Sequence, residues 1–416
     1  MRILVSTTSF PRFDGDVPGK FILDLAYALT KAGHQVTVVC PSYRNDTDTS
    51  EIKGITLRKV GRFLPWFLRL SADSPLLPQV KGSYTGKLRM IAFVVLQIYH
   101  CTIEGRKADV LHSHWLVPSG LSTCVASTIL SKPHVVTIHG AGLASLETMR
   151  GGRILATFIV SRSEIITTVS RSQRDRLFRL VSPDKAQSVT CVPMGVVPSR
   201  LQTCANSCPR DKLGLLFVGR IAEKKGLEHL IEALSMLADQ GRIEILEVCG
   251  SGQLEAQMRK LAQDKGLSEF IWFRGYVSDS ELAQSYARAN LVVVPSVEAR
   301  FGDVEGVPVV LLESMFLGKT IVATRVGGIV DVLGDFAGIL VEQRSPEQLA
   351  SALMKLLANP GHAKVLGARA ARIARRRYTV ECTCDRFCIA FQRLLPTSRG
   401  SSDPTPRSRG SIPARA

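Results

Sequence analysis

Arg220 and Lys225 stand five positions apart in the run Gly219-Arg220-Ile221-Ala222-Glu223-Lys224-Lys225-Gly226, which follows a β-rich segment and precedes an amphipathic one. A loop between a strand and a helix already favours an anion, through free N–H groups and the helix dipole. A guanidinium fork beside an ammonium suits a diphosphate, whose leaving charge needs stabilising. The plainer reading is a solvated basic loop.

A second group lies in the stretch from Pro295 to Ser314, after the buried run Leu291–Val294. Glu305 and Glu313 are eight residues apart, with Gly306, Val307, Pro308 and Val309 between them. Gly306 and Pro308 open an otherwise apolar helix, and the first N–H groups of a helix point outward unpaired. Glu305 is expected at that mouth and Glu313 two turns further in, on nearly the same face. A carboxylate within an apolar helix is costly unless it binds something, such as sugar hydroxyls. Charge compensation at a helix start would also account for Glu305, and a partnered core carboxylate for Glu313.

Weaker candidates lie in the first half. Gly19, in Gly15-Asp16-Val17-Pro18-Gly19, follows the first strand and can bring backbone close to a phosphate or a transferring group. His139-Gly140 ends the strand Val135–Ile138, and His112-x-His114-Trp115 ends Val110-Leu111. Strand ends are where open α/β sheets place their ligands. No third ligand accompanies His112 and His114, so substrate contact or packing is favoured over a metal. The cysteine groups Cys204-x3-Cys208 and Cys382-x-Cys384-x3-Cys388 do not repeat the paired spacing of zinc sites.

The elements that must position these residues alternate. Strands are expected at Ile3–Thr7, Gln35–Cys40, Val110–His112, His134–His139, Ile165–Val169 and Val189–Val192, with helices between, such as Lys20–Ala32. A polar, Pro-bearing stretch at 198–212 interrupts the pattern. It resumes with strands at Leu215–Val218, Glu244–Cys249, Ile271–Phe273, Leu291–Val294, Thr320–Ala323 and Gly338–Val341. Alternation at this spacing implies parallel sheets covered by helices. Two such units joined near residue 205 predict an α/β protein of two Rossmann-like domains facing across a central cleft, where ligands bind.

The composition fits that reading and excludes others. The 416 residues are 45% hydrophobic and 21% charged, which rules out a disordered, collagen-like or disulfide-scaffold chain. The N-terminus reads as a buried strand rather than a secretory signal. The stretch Leu88–Tyr99 is too short to span a bilayer and reads as a core helix, with an interfacial membrane helix as the alternative. Scattered cysteines inside apolar runs suit free thiols of a reducing cytoplasm. The net charge of +17 calls for an anionic partner. Eleven Arg, no Lys and three acids after residue 366 place nearly half of it at the C-terminus, where 396–416 reads as a disordered basic tail. The arginines lack interleaved aromatics, which speaks against nucleic acid and leaves an anionic membrane surface as the outside partner.

In order, the pieces resemble the retaining glycosyltransferases of family 4, which have the GT-B fold. The resemblance rests on Asp109–Trp115, Thr137–Gly140, Val192-Pro193-Met194-Gly195-Val196, Gly219-Arg220 to Lys225-Gly226, Gly250-Ser251-Gly252, Pro295-Ser296, Glu305-x7-Glu313 and Gly327-Gly328-Ile329. It covers residues 1–395. It implies an N-terminal acceptor-side domain over 1–200, with a returning helix at 380–395, and a nucleotide-sugar domain over 211–379. It implies that Arg220 and Lys225 hold the diphosphate of a UDP- or GDP-sugar, that Glu313 binds the ribose, and that Glu305 with the backbone of Gly306, Val307, Pro308 and Val309 binds the sugar. His139 is placed beside the reaction centre, Gly19 on the phosphate or acceptor side, and Val277 in the loop near the base. No metal or other cofactor is implied, and the acceptor is a glycan or lipid-linked. The chain departs from the usual pattern at Pro18-Gly19, at Gly142 after His-Gly, and at Val197 in place of an Asp. An epimerase of the same architecture and a non-catalytic sugar-nucleotide binder are the competing readings.

Overall fold

A computed structural model describes residues 1–13, 16, 18–43, 50–62, 84–181, 189–198, 200, 214–242 and 244–394. The basic tail 396–416, Cys204 and Cys208, and most of the polar stretch 198–212 lie outside the described residues.

The first sheet has eight strands: β1 (Arg2–Ser6), β2 (Gln35–Pro41), β3 (Glu51–Ile52), β4 (Ile55–Val60), β5 (Val110–His114), β6 (His134–Ile138), β7 (Ile165–Thr168) and β8 (Val189–Cys191). Their order is β3-β4-β2-β1-β5-β6-β7-β8, and every pair is parallel except β3 with β4. All five residues of both β5 and β6 are buried, because helices cover the two faces. Those helices are α1 (Lys20–Lys31), α2 (Tyr84–Gly105), α3 (Leu121–Leu130), α4 (Gly140–Thr148), α5 (Gly152–Ser161) and α6 (Arg171–Leu180).

The second sheet has β9 (Gly214–Val218), β10 (Leu246–Cys249), β11 (Ile271–Gly275), β12 (Ala289–Val294), β13 (Thr320–Thr324) and β14 (Ile339–Val341), all parallel in the order β11-β10-β9-β12-β13-β14. Its helices are α7 (Leu227–Ala238), α8 (Glu255–Asp264), α9 (Asp279–Arg288), α10 (Val309–Phe316), α11 (Gly328–Leu333), α12 (Pro346–Ala358) and α13 (Pro360–Arg377). In each sheet the order reverses once, between β1 and β5 and between β9 and β12. Those reversals open a crevice at the carboxyl ends of the strands. The two Rossmann-like sheets make this a GT-B fold, α/β throughout.

The last helix, α14 (Val380–Gln392), leaves the second domain. Thr379 bridges to Val196, and a Cβ on Gly195 would lie 2.2 Å from the Thr379 carbonyl carbon, so the crossing strands touch backbone to backbone. Phe387 and Phe391 are fully buried among Ile3, Val5, Ile22 and Leu29 of the first domain.

Two sequence expectations need correction. The run Leu88–Tyr99 is indeed helical, but as a core helix it would turn its apolar residues inward. Instead Phe93, Gln97 and Cys101 face in, while Leu88, Ile91, Val95 and Tyr99 face solvent. The helix expected to open at Gly306 begins only at Val309, so Glu305 precedes it in a loop and shares no helical face with Glu313.

Candidate active site

On the second domain's wall, the loops after β9, β10 and β12 crowd together. Gly250 has φ 139°, and a Cβ there would sit 2.0 Å from the Gly219 carbonyl oxygen. Gly226 has φ 63° and meets the Pro295 carbonyl in the same way, at 1.9 Å. Only glycine fits these approaches. They lay the Lys225 side chain along Gly219, where a Cβ would be 3.4 Å from Cε.

Lys225 Nζ is 3.0 Å from Glu305 Oε1, yet off the line of a hydrogen bond, so this buried oxygen keeps a free acceptor direction. Burial pushes the Glu305 carboxyl up, but Lys225, then Lys224, then Arg220 outweigh it and hold the group below the usual carboxylate range. Lys224 pairs with Asp303 at 3.2 Å. Arg220 is exposed at the same mouth and has no ion-pair partner among the described residues.

Glu313 lies in the second turn of α10. Burial raises its pKa to about 7, against the opposing pull of the Tyr286 hydroxyl, which donates to Oε2 at 2.9 Å. Tyr286 was not singled out from the sequence: it sits on α9, 27 positions upstream, and no local spacing connects the two. Ahead of α10, Gly306 and Val307 are partly exposed, Pro308 caps the helix, and Val309 opens it. Val277, half-buried, follows the carboxyl end of β11 and packs against the second domain's core.

The first domain's wall is built differently. His139 ends β6 and caps α4. Its Nε2 lies 3.1 Å from His114 Nδ1, and its ring is flanked by Trp115 and Phe21, with centroids at 4.9 and 5.2 Å. His112 bonds Thr137 at 2.8 Å, and His134 is held between Ser113 and Ser163 at 2.9 and 3.0 Å. Burial drives the pKa of His112, His134 and His139 down to about 3, and that of His114 well below its ordinary value. All four rings are therefore neutral at physiological pH, and His114 and His139 share a single proton along their bond. His114 Nε2 is buried without a partner. An orphaned N–H is rarer than an orphaned acceptor. The proton of His114 is thus assigned to Nδ1, which leaves the proton of His139 on its own Nδ1.

Gly19 has φ 71°, and a Cβ there would lie 2.2 Å from the Ser9 carbonyl oxygen. Its close approach is to the chain's own loop. The next residue, Lys20, reaches across the cleft to Asp279 at 2.7 Å, two residues beyond Val277.

The two walls meet at glycines. A Cβ on Gly140 would come within 2.7 Å of the Val304 carbonyl, one on Gly306 within 2.7 Å of the Gln173 amide, and one on Gly328 within 2.7 Å of Ser170 Cβ. Gln173, oriented to donate to the Ile138 carbonyl and accept from Gly140 N–H, both at 2.9 Å, pins the His139 loop. The structure therefore brings His139, Glu305, Lys225 and Gly306 to one closed crevice. A separate cavity of about 410 Å³ between the domains is lined by Arg176, Arg179, Glu298 and Arg325, and includes neither Lys225 nor Glu305. Among the described residues, no three His, Cys, Asp or Glu side chains converge as a metal site requires.

Two facing Rossmann-like sheets with a basic, carboxylate-bearing crevice between them are the build of a GT-B protein. Residues 18–195 match the model of the glycosyl transferase 4-like domain, and residues 205–373 that of the glycosyl transferases group 1. The D-inositol 3-phosphate glycosyltransferase of Xylanimonas cellulosilytica is 31% identical over 88% of this chain and 89% of its own length. The chain belongs to the group 1 glycosyl transferases. The amylovoran biosynthesis glycosyltransferase AmsK of Erwinia amylovora is 28% identical over 55% of the chain, and that match spans 56% of AmsK. Among solved structures, HepE of Anabaena superposes with a TM-score of 0.72 at 17% identity, covering 95% of this chain and 100% of that one. HepE has been solved with UDP, with UDP and glucose, and with UDP-glucose.

Proposed function

We propose that the chain moves a sugar from a nucleoside-diphosphate donor, a UDP- or GDP-sugar, to a glycan or lipid-linked acceptor, with retention and without a metal, in the biosynthesis of a cell-surface polysaccharide or glycolipid. The observation that carries this reading is the Lys225–Glu305 pair, beside Arg220, which has no ion pair among the described residues, in a crevice closed by Gly140 and Gly306.

In this reading Arg220 and Lys225 bind the diphosphate, and their fixed charges take up the negative charge that grows as the sugar C1–O bond breaks. The acceptor oxygen bonds to C1 on the same face, and its proton passes to the leaving phosphate oxygen. No side chain is then needed as nucleophile. Glu305 accepts from the sugar hydroxyls through its open oxygen, with the N–H groups around Gly306, Val307 and Val309 beside it. His139 donates through Nδ1, Glu313 takes the ribose hydroxyls, and Val277 borders the base. Gly19 shapes the acceptor side through its own loop. The UDP and UDP-glucose complexes of HepE support a uridine donor. The biosynthetic role of AmsK supports a polysaccharide product. We assign residues 1–200 with 380–395 to the acceptor domain and 211–379 to the donor domain. None of the eight described cysteines is in a disulfide, which supports a reducing cytoplasm as the compartment.

Isothermal titration of UDP and GDP in the presence of a chelator tests the donor site. Binding of one of them is expected. Silence from both sinks the transferase reading.

A further inference from the structure

Helix α2 is built with its polarity inverted. Its buried side carries Gly86, Phe93, Gln97, Cys101 and Gly105. Its solvent side carries Tyr84, Leu88, Ile91, Val95 and Tyr99, which are 91, 56, 61, 58 and 59% exposed. Steps of four, three, four and four residues keep these five on one stripe. Over 22 residues the helix is about 33 Å long. Ordinary surface helices turn such a stripe inward. Here Gln97 forbids it: buried, it donates to the Thr7 carbonyl at 3.3 Å and to Ser119 Oγ at 3.1 Å, which locks the rotation of α2. The adjoining helix α3 adds exposed Ile129.

The ends of the stripe are basic. Lys87 is exposed at one end, its Nζ 5.5 Å above the Tyr84 ring, and Arg106 and Lys107 are exposed just past the other. The one acid of the helix, Glu104, is held by Arg58 at 2.8 Å. Lys132 adds a fourth cation, bonded to the carbonyls of Gly105 and Arg106 at 2.9 and 2.7 Å. Between residues 53 and 107 there are ten Lys and Arg and two acids.

This charge pattern chooses the occupant. Packing α2 against α2 of a second copy, parallel or antiparallel, sets basic end against basic end. An anionic lipid surface accepts both ends at once, with the apolar stripe between them in the headgroup–acyl boundary. No described helix is long and apolar enough to cross a membrane, so α2 would lie along the surface. We infer that α2 is the face on which this protein rests on an anionic bilayer, with Leu88, Ile91, Val95 and Tyr99 immersed and Lys87, Arg106 and Lys107 at the phosphate level. The same Gln97 bonds tie this face to Thr7 and Ser119, at the carboxyl ends of β1 and β5, so docking orients the acceptor-side wall relative to the membrane. This inference stands on α2 alone and does not depend on the donor-site reading.

Co-sedimentation of the full chain with vesicles of phosphatidylcholine alone, or mixed with phosphatidylglycerol, tests it. The wild type is expected to prefer the anionic vesicles and to release with salt. Leu88→Gln combined with Ile91→Gln and Val95→Gln should weaken binding by ~10-fold or more. Lys87→Gln with Arg106→Gln and Lys107→Gln should lose ~10–100-fold and the preference for anionic lipid. Neutralising the tail through Arg399→Gln, Arg407→Gln, Arg409→Gln and Arg415→Gln should change binding by less than about twofold. All side chains altered on α2 face solvent, and unchanged UDP titration and melting confirm the fold. Vesicle binding of the Leu88 variant equal to wild type overturns the inference. So does indifference of the wild type to anionic vesicles, or a dimer that this variant converts to monomer. Glu305→Gln should bind vesicles as wild type, so loss of the donor site and loss of the membrane face are read separately.

Discussion

The two sheets share one strand order over six strands, β4-β2-β1-β5-β6-β7 and β11-β10-β9-β12-β13-β14, yet the wall around Lys225 is charged and the wall around His139 is neutral. The second domain gathers Arg220, Lys224, Lys225, Glu305 and Glu313 around loops that only glycines can bring so close. The first gathers His112, His114 and His139, all stripped of charge by burial, with Trp115 and Phe21 beside His139. On the proposed function the charged wall meets a diphosphate, whose sign is fixed, and Glu305 balances Lys225 within that wall. An acceptor hydroxyl is neutral before reaction. On the same proposal it is met by a wall whose donors and acceptors are set by tautomer, as in the His114–His139 bond.

The sharpest way to break this contrast is on the charged side. Lys225→Ala should lower kcat by about 10³-fold, the scale of removing a fixed electrostatic donor, and should weaken UDP binding in the same titration. Glu305→Gln should lose transfer comparably in an initial-rate assay while still binding UDP. On the neutral side, His139→Ala should cost about 10²-fold in kcat and leave UDP affinity unchanged. If it weakens UDP binding as much as Lys225→Ala does, the walls do not divide the work.

Glu313 offers a smaller test with a definite sign. Its carboxyl is raised to about 7 in the folded protein, so folding takes up a proton there. The stability it contributes is present below the ordinary carboxylate range and is lost as pH rises through about 7. Glu313→Gln should therefore melt higher than wild type at pH 8, by about 2 °C, with the gap closing toward pH 5. The same variant should weaken UDP binding by ~10-fold through the lost ribose contact. Smallest is the clasp across the mouth: Lys20→Ala removes a partly exposed ion pair worth at most ~1 kcal/mol, and KM should change by less than about threefold.

The parts of the site legible from the sequence are those whose signal is local. Arg220 to Lys225 and Glu305 to Val309 announce themselves because a strand end, a glycine and a charge follow one another within ten residues. The alternation of apolar runs likewise reveals both sheets. What stayed hidden depends on partners far away along the chain. Tyr286 holds Glu313 across two elements, Gln173 pins a loop 34 positions before it, and Gln97 decides which side of α2 faces in by bonding Thr7. Periodicity marks a stripe but not its direction. The edge pair β3 and β4 was missed because Thr56, Arg58 and Lys59 interrupt its apolar pattern, and an edge strand can afford that. The sequence places the mouth of the helix at Glu305 because Pro308 is welcome in a first turn. In the structure Pro308 is the cap, and the helix starts at Val309.

The crossing of α14 bears on the order in which the protein can be made. Phe387 and Phe391 complete the core around Ile3, Val5, Ile22 and Leu29, while the largest core of the second domain draws only on residues from Leu215 to Leu366. On the ribosome the half synthesised first must therefore wait, one flank open, until the final helix emerges. The half synthesised second has its largest core in hand sooner.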